Sequence, residues 1–191
     1  MKIVKKKKLL KAVLLDRDGT LNDDTGYISN PEDLHLYPEV PGALKKLQDA
    51  GYLLIIVSNQ SGVARGYFGE KTLKSIHKKL ERDLKKGGVR LDGAYYCLHH
   101  PDDNCGCRKP RPGMFEQIRK DFPIDKKNTY YVGNWESDVK FAKNCGINAV
   151  LVRGEIKETK PDHVAKDMDG AVRFILRHSY RGKRQEKSDK R

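Results

Sequence analysis

The chain has 191 residues, enough for one domain with a full hydrophobic core, and no apolar run long enough to span a membrane. Its net charge of +13 does not indicate a basic nucleic-acid groove, because residues 1–11 contribute +6 and residues 177–191 contribute +5, which leaves residues 12–176 nearly balanced. The lysine-rich start lacks the apolar segment and cleavage site of a signal peptide, so we expect a cytoplasmic location.

Strand-like and helix-like segments alternate along the chain. The predicted strands are residues 11–16, 52–59, 93–99, 129–134 and 148–154, and the predicted helices are residues 40–51, 69–86, 112–121, 136–144 and 164–178. This pattern predicts an α/β fold: a single Rossmann-like domain with a mostly parallel sheet of five or more strands and helices on both faces. We expect a basic arm at 1–10, the domain at 11–178, a basic disordered tail at 179–191, and a monomer.

Polar residues follow several of these strands, at the edge where the active sites of parallel sheets lie. Asp16 and Asp18 end the first strand two positions apart, so both carboxylates face one side. Such a pair suits a Mg²⁺ ion, or a nucleophile with a neighbouring acid and base, although a pair of turn aspartates before Gly19 remains an alternative.

Three other segments supply groups that suit a phosphate site. Ser58 and Asn59 end the second strand and offer a phosphate cradle or an N-capping turn. Lys109 and Arg108 lie just before a predicted helix, where they could neutralise phosphate or be ordinary surface charges. In GNWESD, Asn134 and Asp138 provide oxygen ligands for the cation at Asp16.

Four metal-binding side chains share one loop, CLHHPDDNCGC. Cys97, His99, Cys105 and Cys107 form a complete tetrahedral ligand set, which predicts a structural Zn²⁺ ion; reduced, unligated thiols are the alternative. His100 competes with His99 as the nitrogen ligand, and Cys145 is interpreted as a small buried residue. The metal would hold in place the loop that carries Arg108 and Lys109.

Taken together, DRDGT at 16–20, the strand end at Ser58, the lysine in RKPRPGM and the segment GNWESD resemble haloacid-dehalogenase-like phosphatases. The phrases PGALKKLQDAGY, VSNQSGVARGYF and CRKPRPGM are most similar to the histidinol-phosphate and D,D-heptose 1,7-bisphosphate phosphatase branch, and the likeness covers about residues 11–155. This branch carries no large cap domain, so short loops, residues 22–38 and the zinc loop, should cover the site.

The resemblance implies residue roles. Asp16 would be the nucleophile and Asp18 the general acid and base, while Ser58 and Lys109 would bind the transferring phosphoryl group. Mg²⁺ would be held by the Asp16 carboxylate, the Asp18 carbonyl and an oxygen of the fourth motif. The remaining substrate contacts would come from Asp24, Thr25, Gly26, Tyr27, Ser58, Asn59, Gln60, Ser61, Arg108 and Lys109.

The sequence departs from the family pattern at two positions. Asn134 stands where an aspartate usually ligates magnesium, and Trp135 stands where the heptose enzymes usually have a lysine. Asn134 can still ligate through its carbonyl but with one negative charge less, and Asp138 is a candidate to replace that charge.

The function predicted is Mg²⁺-dependent hydrolysis of a small sugar or polyol phosphate through an aspartyl-phosphate, with D-glycero-D-manno-heptose 1,7-bisphosphate as the leading substrate. Histidinol phosphate is an alternative substrate. A nucleic-acid 3′-phosphatase, or a zinc-containing nucleic-acid-associated protein that uses the basic termini, is the alternative of another class. A catalytically weakened scaffold, motivated by Asn134, is a third reading.

Overall fold

The structure, a computed structural model, describes residues 8–188, with side chains to residue 178. The strands are β1 (Leu10–Leu15), β2 (Leu53–Asn59), β3 (Gly93–Cys97), β4 (Ile124–Gly133), β5 (Asn148–Val152) and β6 (His163–Ala165). The helices are α1 (Val40–Asp49), α2 (Glu70–Lys86), α3 (Gly113–Asp121), α4 (Glu136–Cys145) and α5 (Met168–Ser188). No helix of this described part is long and apolar enough to cross a membrane.

The six strands form one sheet in the order β3-β2-β1-β4-β5-β6, and all neighbouring pairs are parallel. This arrangement confirms the predicted α/β fold. Because all strands run the same way, their carboxyl ends meet at one edge of the sheet. At β1 the strand order reverses direction, which places the end of β1 at the topological switch point where ligands of such folds bind.

Two apolar layers cover the sheet, one on each face. On β1, Val13 and Leu15 belong to the core beneath α1, α2 and α5, whereas Ala12 and Leu14 belong to the core beneath α3 and α4. All four side chains are fully buried. Burial on both faces explains why the central strands are continuously apolar and do not alternate between apolar and polar residues.

The largest differences between the observed and the predicted elements concern β4, β6 and α5. Strand β4 begins at Ile124, five residues before the prediction, because its start pairs with Leu10 across an irregular register. Strand β6 was missed, since its three residues include the exposed Val164 and give no apolar run. Helix α5 begins at Met168, where the Asp167 side chain accepts a hydrogen bond from Gly170 N, and it ends at Ser188, ten residues beyond the prediction.

The loop between β1 and α1 contains no inserted domain. Its only helical element is the one-turn 3-10 helix Pro31–Asp33, and the loop is tied to the β1 end by isolated bridges from Asn22 to Asp18 and Leu36. The expectation of a site without a large cap domain is therefore confirmed. Of the predicted basic termini, residues 1–7 and 189–191 lie outside the described residues.

Candidate active site

The carboxyl ends of the strands enclose a cavity of about 380 Å³. Larger grooves on the described part of the chain lie away from these strand ends, among them one beside α5 and one between α2 and β3. Nearly all predicted catalytic and substrate residues line the cavity: Asp16, Asp18, Asp24, Gly26, Tyr27, Ser58, Asn59, Gln60, Ser61, Arg108, Lys109 and Asp138. Trp135 and Ser137 complete the lining. Two predicted residues of these strand-end loops, Thr25 and Asn134, do not line the cavity.

Asp16 lies immediately after β1 and is buried, with 6% of its surface exposed. Burial raises the pKa of its carboxyl, the charge of Lys109 lowers it, and the nearby Asp138 and Asp18 raise it, so that the pKa is about 6. Its Oδ1 atom lies 3.0 Å from Lys109 Nζ but makes no hydrogen bond of good geometry. The Asp16 carboxylate is therefore a buried acceptor that is incompletely satisfied by the protein, which suits a nucleophile or a cation ligand.

Lys109 bridges two carboxylates inside the protein. Its Nζ lies 2.7 Å from Asp138 Oδ1 and donates a 2.6 Å hydrogen bond to the hydroxyl of Tyr131, which itself donates to the Val57 carbonyl. Burial lowers the pKa of this ammonium group, but the charges of Asp138 and Asp16 outweigh burial and raise it. Lys109 is therefore held charged beside Asp16, the predicted nucleophile, as stabilisation of a phosphoryl group would require.

Asp138 is fully engaged by protein groups. Its Oδ1 pairs with Lys109, and its Oδ2 accepts hydrogen bonds from the backbone N–H groups of Asn134 (3.1 Å) and Trp135 (2.9 Å) at the start of α4. A carboxylate that caps a helix and neutralises a buried lysine has little capacity left for a metal ion. This geometry favours a positioning role for Asp138, and its role as a replacement magnesium ligand stays a prediction.

Asp18 is held by a residue that sequence reasoning missed. The buried Arg17 donates to both carboxylate oxygens of Asp18, at 2.9 and 2.8 Å, and Asn22 Nδ2 donates at 3.0 Å. Gln60 Nε2 donates to Asp18 (2.8 Å) and also lies 3.1 Å from Ser58 Oγ, so it links the predicted acid to the predicted phosphate ligand. Its position between two predicted catalytic aspartates was the sequence signal that could have identified Arg17 as a site residue.

Asn59 acts on the backbone of Lys109. Its Oδ1 accepts from Lys109 N at 3.0 Å, and its Nδ2 donates to the Lys109 carbonyl at 3.2 Å. This reciprocal pair fixes the loop that delivers the lysine to Asp16. Both amide atoms of Asn59 are thus used by the protein, and its contact with substrate stays a prediction.

Asn134 lies directly beside the backbone of the predicted magnesium site. In one amide orientation its nitrogen donates to the Asp18 carbonyl (3.2 Å) and its oxygen accepts from Trp135 Nε1 (3.2 Å); in the other, its oxygen faces the Asp18 carbonyl and accepts from Thr20 Oγ1 at 3.3 Å. Gly19, with φ +71, leaves room for this amide, since a Cβ atom there would lie 2.2 Å from Asn134 Nδ2. Two oxygens about 3 Å apart match neighbouring ligands of an octahedral Mg²⁺ ion, so Asp16, the Asp18 carbonyl and Asn134 fit that group.

The four zinc-ligand candidates converge on one point. The Sγ–Sγ separations among Cys97, Cys105 and Cys107 are 3.4–3.6 Å, and His99 Nδ1 lies 3.2 Å from Cys107 Sγ. A Zn²⁺ ion with bonds of about 2.3 Å to sulfur places tetrahedral ligands roughly 3.8 Å apart, so the cluster fits this metal. His100 instead caps the one-turn 3-10 helix Pro101–Asp103, which removes it as the competing ligand. Cys145 is buried at the end of α4, outside the cluster, as predicted.

Arg108 supplies an unused cation to the cavity. Its Nη1 is a buried donor that has no hydrogen-bond partner among the described residues. On the opposite loop, Asp24 closes a turn by accepting from Gly26 N at 3.1 Å, which places Tyr27 at the cavity. An anionic group of a ligand would satisfy the Arg108 donor.

The chain is similar to several named proteins, in sequence and in fold. The family model for polynucleotide kinase 3 phosphatase matches residues 11–151. The D-glycero-beta-D-manno-heptose-1,7-bisphosphate 7-phosphatase of Haemophilus ducreyi is 47% identical over 75% of this chain and 83% of its own length. The enzyme of the same name from Helicobacter pylori is 37% identical over 86% of this chain and 97% of its own length. Among solved structures, D,D-heptose 1,7-bisphosphate phosphatase from B. bronchiseptica, complexed with magnesium and phosphate, superposes with a TM-score of 0.81 at 32% identity, covering 88% of this chain and 99% of that one.

Proposed function

This chain belongs to the polynucleotide kinase 3 phosphatase family, within the haloacid-dehalogenase-like fold, and from that membership we propose that it is a Mg²⁺-dependent phosphoric monoester hydrolase of D-glycero-D-manno-heptose 1,7-bisphosphate. The observation that carries this proposal is the buried lysine at Asp16. Lys109 is held charged 3.0 Å from the Asp16 carboxylate, and Ser58 and Asp18 line the same cavity.

The chain's own residues account for the two steps of the reaction. Asp16 attacks phosphorus, the bond from phosphorus to the ester oxygen breaks, and Asp18 gives its proton to the leaving alkoxide. Water then attacks the aspartyl-phosphate, Asp18 takes the proton from that water, and inorganic phosphate leaves with Asp16 restored. Lys109 and the Ser58 hydroxyl bind the phosphoryl oxygens, and one such donor is typically worth about 3–4 kcal/mol of barrier.

The magnesium ion, held by Asp16, the Asp18 carbonyl and Asn134, would supply positive charge to the phosphoryl oxygens. The fit of these oxygens supports this role, as does the magnesium bound in the similar B. bronchiseptica enzyme. We assign zinc to Cys97, His99, Cys105 and Cys107 as a structural ion, since four protein ligands leave no open position.

The substrate assignment is supported by the two relatives named as heptose-bisphosphate 7-phosphatases and by the unpartnered Arg108 Nη1. Because the cavity holds one phosphoryl site at Asp16 and a separate cation at Arg108, a sugar with two phosphates engages both. Since Asp16, Lys109 and Arg108 line one cavity of this chain, we propose that a monomer is active. Free cysteines and a thiolate zinc cluster fit a reducing compartment, which supports the cytoplasm.

Phosphate release from purified protein tests the proposal. With Mg²⁺, heptose 1,7-bisphosphate should release one equivalent of phosphate rapidly, and Asp16→Asn should reduce the rate by at least about a thousandfold. Asp49→Asn makes the same chemical change at an exposed residue of α1 and should leave the rate unchanged. No release from any sugar phosphate by the wild-type chain, or equal rates for wild type and Asp16→Asn, would refute it.

A second candidate, removal of 3′-phosphate from nucleic acid, is favoured by the description of the matching family model and by the charge of the termini. The same assay decides between them when it includes a 3′-phosphorylated oligonucleotide and histidinol phosphate. Preference for the oligonucleotide, with a steep salt dependence that disappears when residues 1–7 and 179–191 are deleted, would replace the sugar phosphate as the substrate.

A further inference from the structure

Trp135 is a large apolar side chain left exposed at the active-site cavity. It is the only tryptophan of the chain, 58% of its surface is accessible, and it lines the cavity together with Asp16 and Lys109. Single exposed apolar residues are common on proteins, but an aromatic ring at the wall of a polar cavity is an apolar contact surface for a ligand.

The backbone of Trp135 is held in place at the start of α4. Trp135 N donates to Asp138 Oδ2 at 2.9 Å, and the Trp135 carbonyl accepts from Asp138 N at 3.0 Å at the first turn of α4. The Asp138 carboxylate also forms an ion pair with Lys109. The Trp135 backbone and the phosphoryl-binding lysine are therefore both positioned by the Asp138 side chain. In one amide orientation, Asn134 also accepts from the indole N–H at 3.2 Å.

A second aromatic residue lines the same cavity on the loop after β1. Tyr27 is 48% exposed and packs edge-on against Tyr67, with ring centroids 4.7 Å apart. It lies close to Gly62, where an added Cβ atom would come within 2.9 Å of the Tyr27 ring and 2.5 Å of Phe68. These contacts restrict the rotation of the Tyr27 side chain, so that its ring forms one side of the cavity.

We propose that Trp135, with Tyr27 as a second contact, is the specificity-determining residue for the sugar ring of the substrate. The inference rests on the proposed function and deepens it: the apolar C–H face of the ring packs on the indole while a phosphoryl group lies at Asp16 and Lys109. Trp135 carries no charge and Lys109 serves the phosphoryl group at Asp16, so Arg108 is the cation of this cavity lining that is left for a second phosphate. The indole therefore adds selection for the sugar ring to the contact that Arg108 offers a second phosphate.

Fluorescence of the single tryptophan tests ring contact without turnover. Asp16→Asn protein at saturating Mg²⁺ is titrated with heptose 1,7-bisphosphate, glucose 6-phosphate, glycerol 3-phosphate and inorganic phosphate. Both ring-containing ligands should quench or shift the indole emission, whereas glycerol 3-phosphate and inorganic phosphate should change it little. An equal response to all four ligands, or no response to the two sugars, would overturn the proposal.

Kinetics of Trp135→Ala give the second test. KM for the heptose bisphosphate should rise by about tenfold with kcat nearly unchanged, while kcat/KM for the ringless acetyl phosphate should stay within a factor of two to three. Trp135→Phe should restore most of the affinity. Val164→Ala, which removes an equally exposed apolar side chain on β6, is the matched control.

The two tests separate the inference from the function. A parallel loss of kcat/KM for both substrates would indicate a merely structural role for Trp135 and overturn the inference. If wild-type protein releases no phosphate from the heptose bisphosphate, the proposed substrate fails, and the glucose 6-phosphate and glycerol 3-phosphate titrations still decide whether the indole binds sugar rings.

Discussion

Replacing Asn134 with aspartate should have opposite effects on the metal-free and the magnesium-bound protein. In the metal-free protein, the Asn134 amide can donate to the Asp18 carbonyl at 3.2 Å, and a carboxylate cannot. It would place an oxygen against that carbonyl oxygen and add a negative charge near Asp16 and Asp18. With Mg²⁺ present, the same oxygen becomes a charged ligand in the position that the amide now fills.

The size of each effect follows from these contacts. Loss of the hydrogen bond to the carbonyl should lower the free energy of unfolding by about 1–2 kcal/mol, or roughly 2–8 °C in Tm. One added ligand charge should tighten Mg²⁺ binding by roughly 10- to 100-fold. At Mg²⁺ concentrations well above both dissociation constants, this adds about 1.4–2.8 kcal/mol to the stabilisation by the metal.

Calorimetric titration with Mg²⁺ and thermal unfolding with and without the ion measure both effects. Asn134→Asp should melt below the wild type without Mg²⁺ and at or above it with Mg²⁺. Asn30→Asp is the matched control, since it adds the same charge at an exposed turn whose capping role aspartate can keep. Unchanged Mg²⁺ affinity, or a metal-free variant as stable as the wild type, would refute the assignment of Asn134 to the metal site.

Three further predictions concern the buried charges and the zinc loop. Lys109→Met leaves two buried carboxylates without their shared cation. Activity should be lost, and the free energy of unfolding, measured by chemical denaturation, should fall by about 3–5 kcal/mol at neutral pH. The loss of stability should be smaller at acidic pH, where the carboxyls bind protons. Because burial raises the pKa of Asp16 to about 6, Mg²⁺ must displace a proton at lower pH, so calorimetry should show affinity falling up to about tenfold per pH unit below that value and levelling off above it; a flat profile would contradict this. Cys105→Ser should release bound zinc, lower Tm and reduce phosphatase activity by tenfold or more by loosening the Lys109 loop, whereas Cys145→Ser, outside the cluster, should retain its zinc in a metal assay.

The fold could be predicted because its signals are local. Continuous apolar strands alternating with amphipathic helices determine a parallel sheet, and that sheet places every strand end at one edge. Asp16 and Ser58 could be assigned to the site for this reason alone. The cluster of candidate zinc ligands could be predicted from an equally local signal, since the four side chains lie within eleven residues of one another. The short strand β6 escaped prediction because pairing with β5, and not its own composition, makes it a strand.

The partners of each polar group could not be predicted, because they depend on contacts between residues distant in sequence. Nothing near Asp138 shows that its carboxylate neutralises Lys109, 29 positions away, and an aspartate in that motif is equally suited to bind a metal ion. Asn59 clamps the backbone of a residue 50 positions away, and Gln60 reaches Asp18 across 42. The sequence alone determined which chemical groups reach the strand ends, since strand direction follows from local pattern. Only the tertiary structure decided which of these groups form hydrogen bonds or ion pairs with one another. Buried charges and amides need a partner, and packing determines which group lies within about 3 Å.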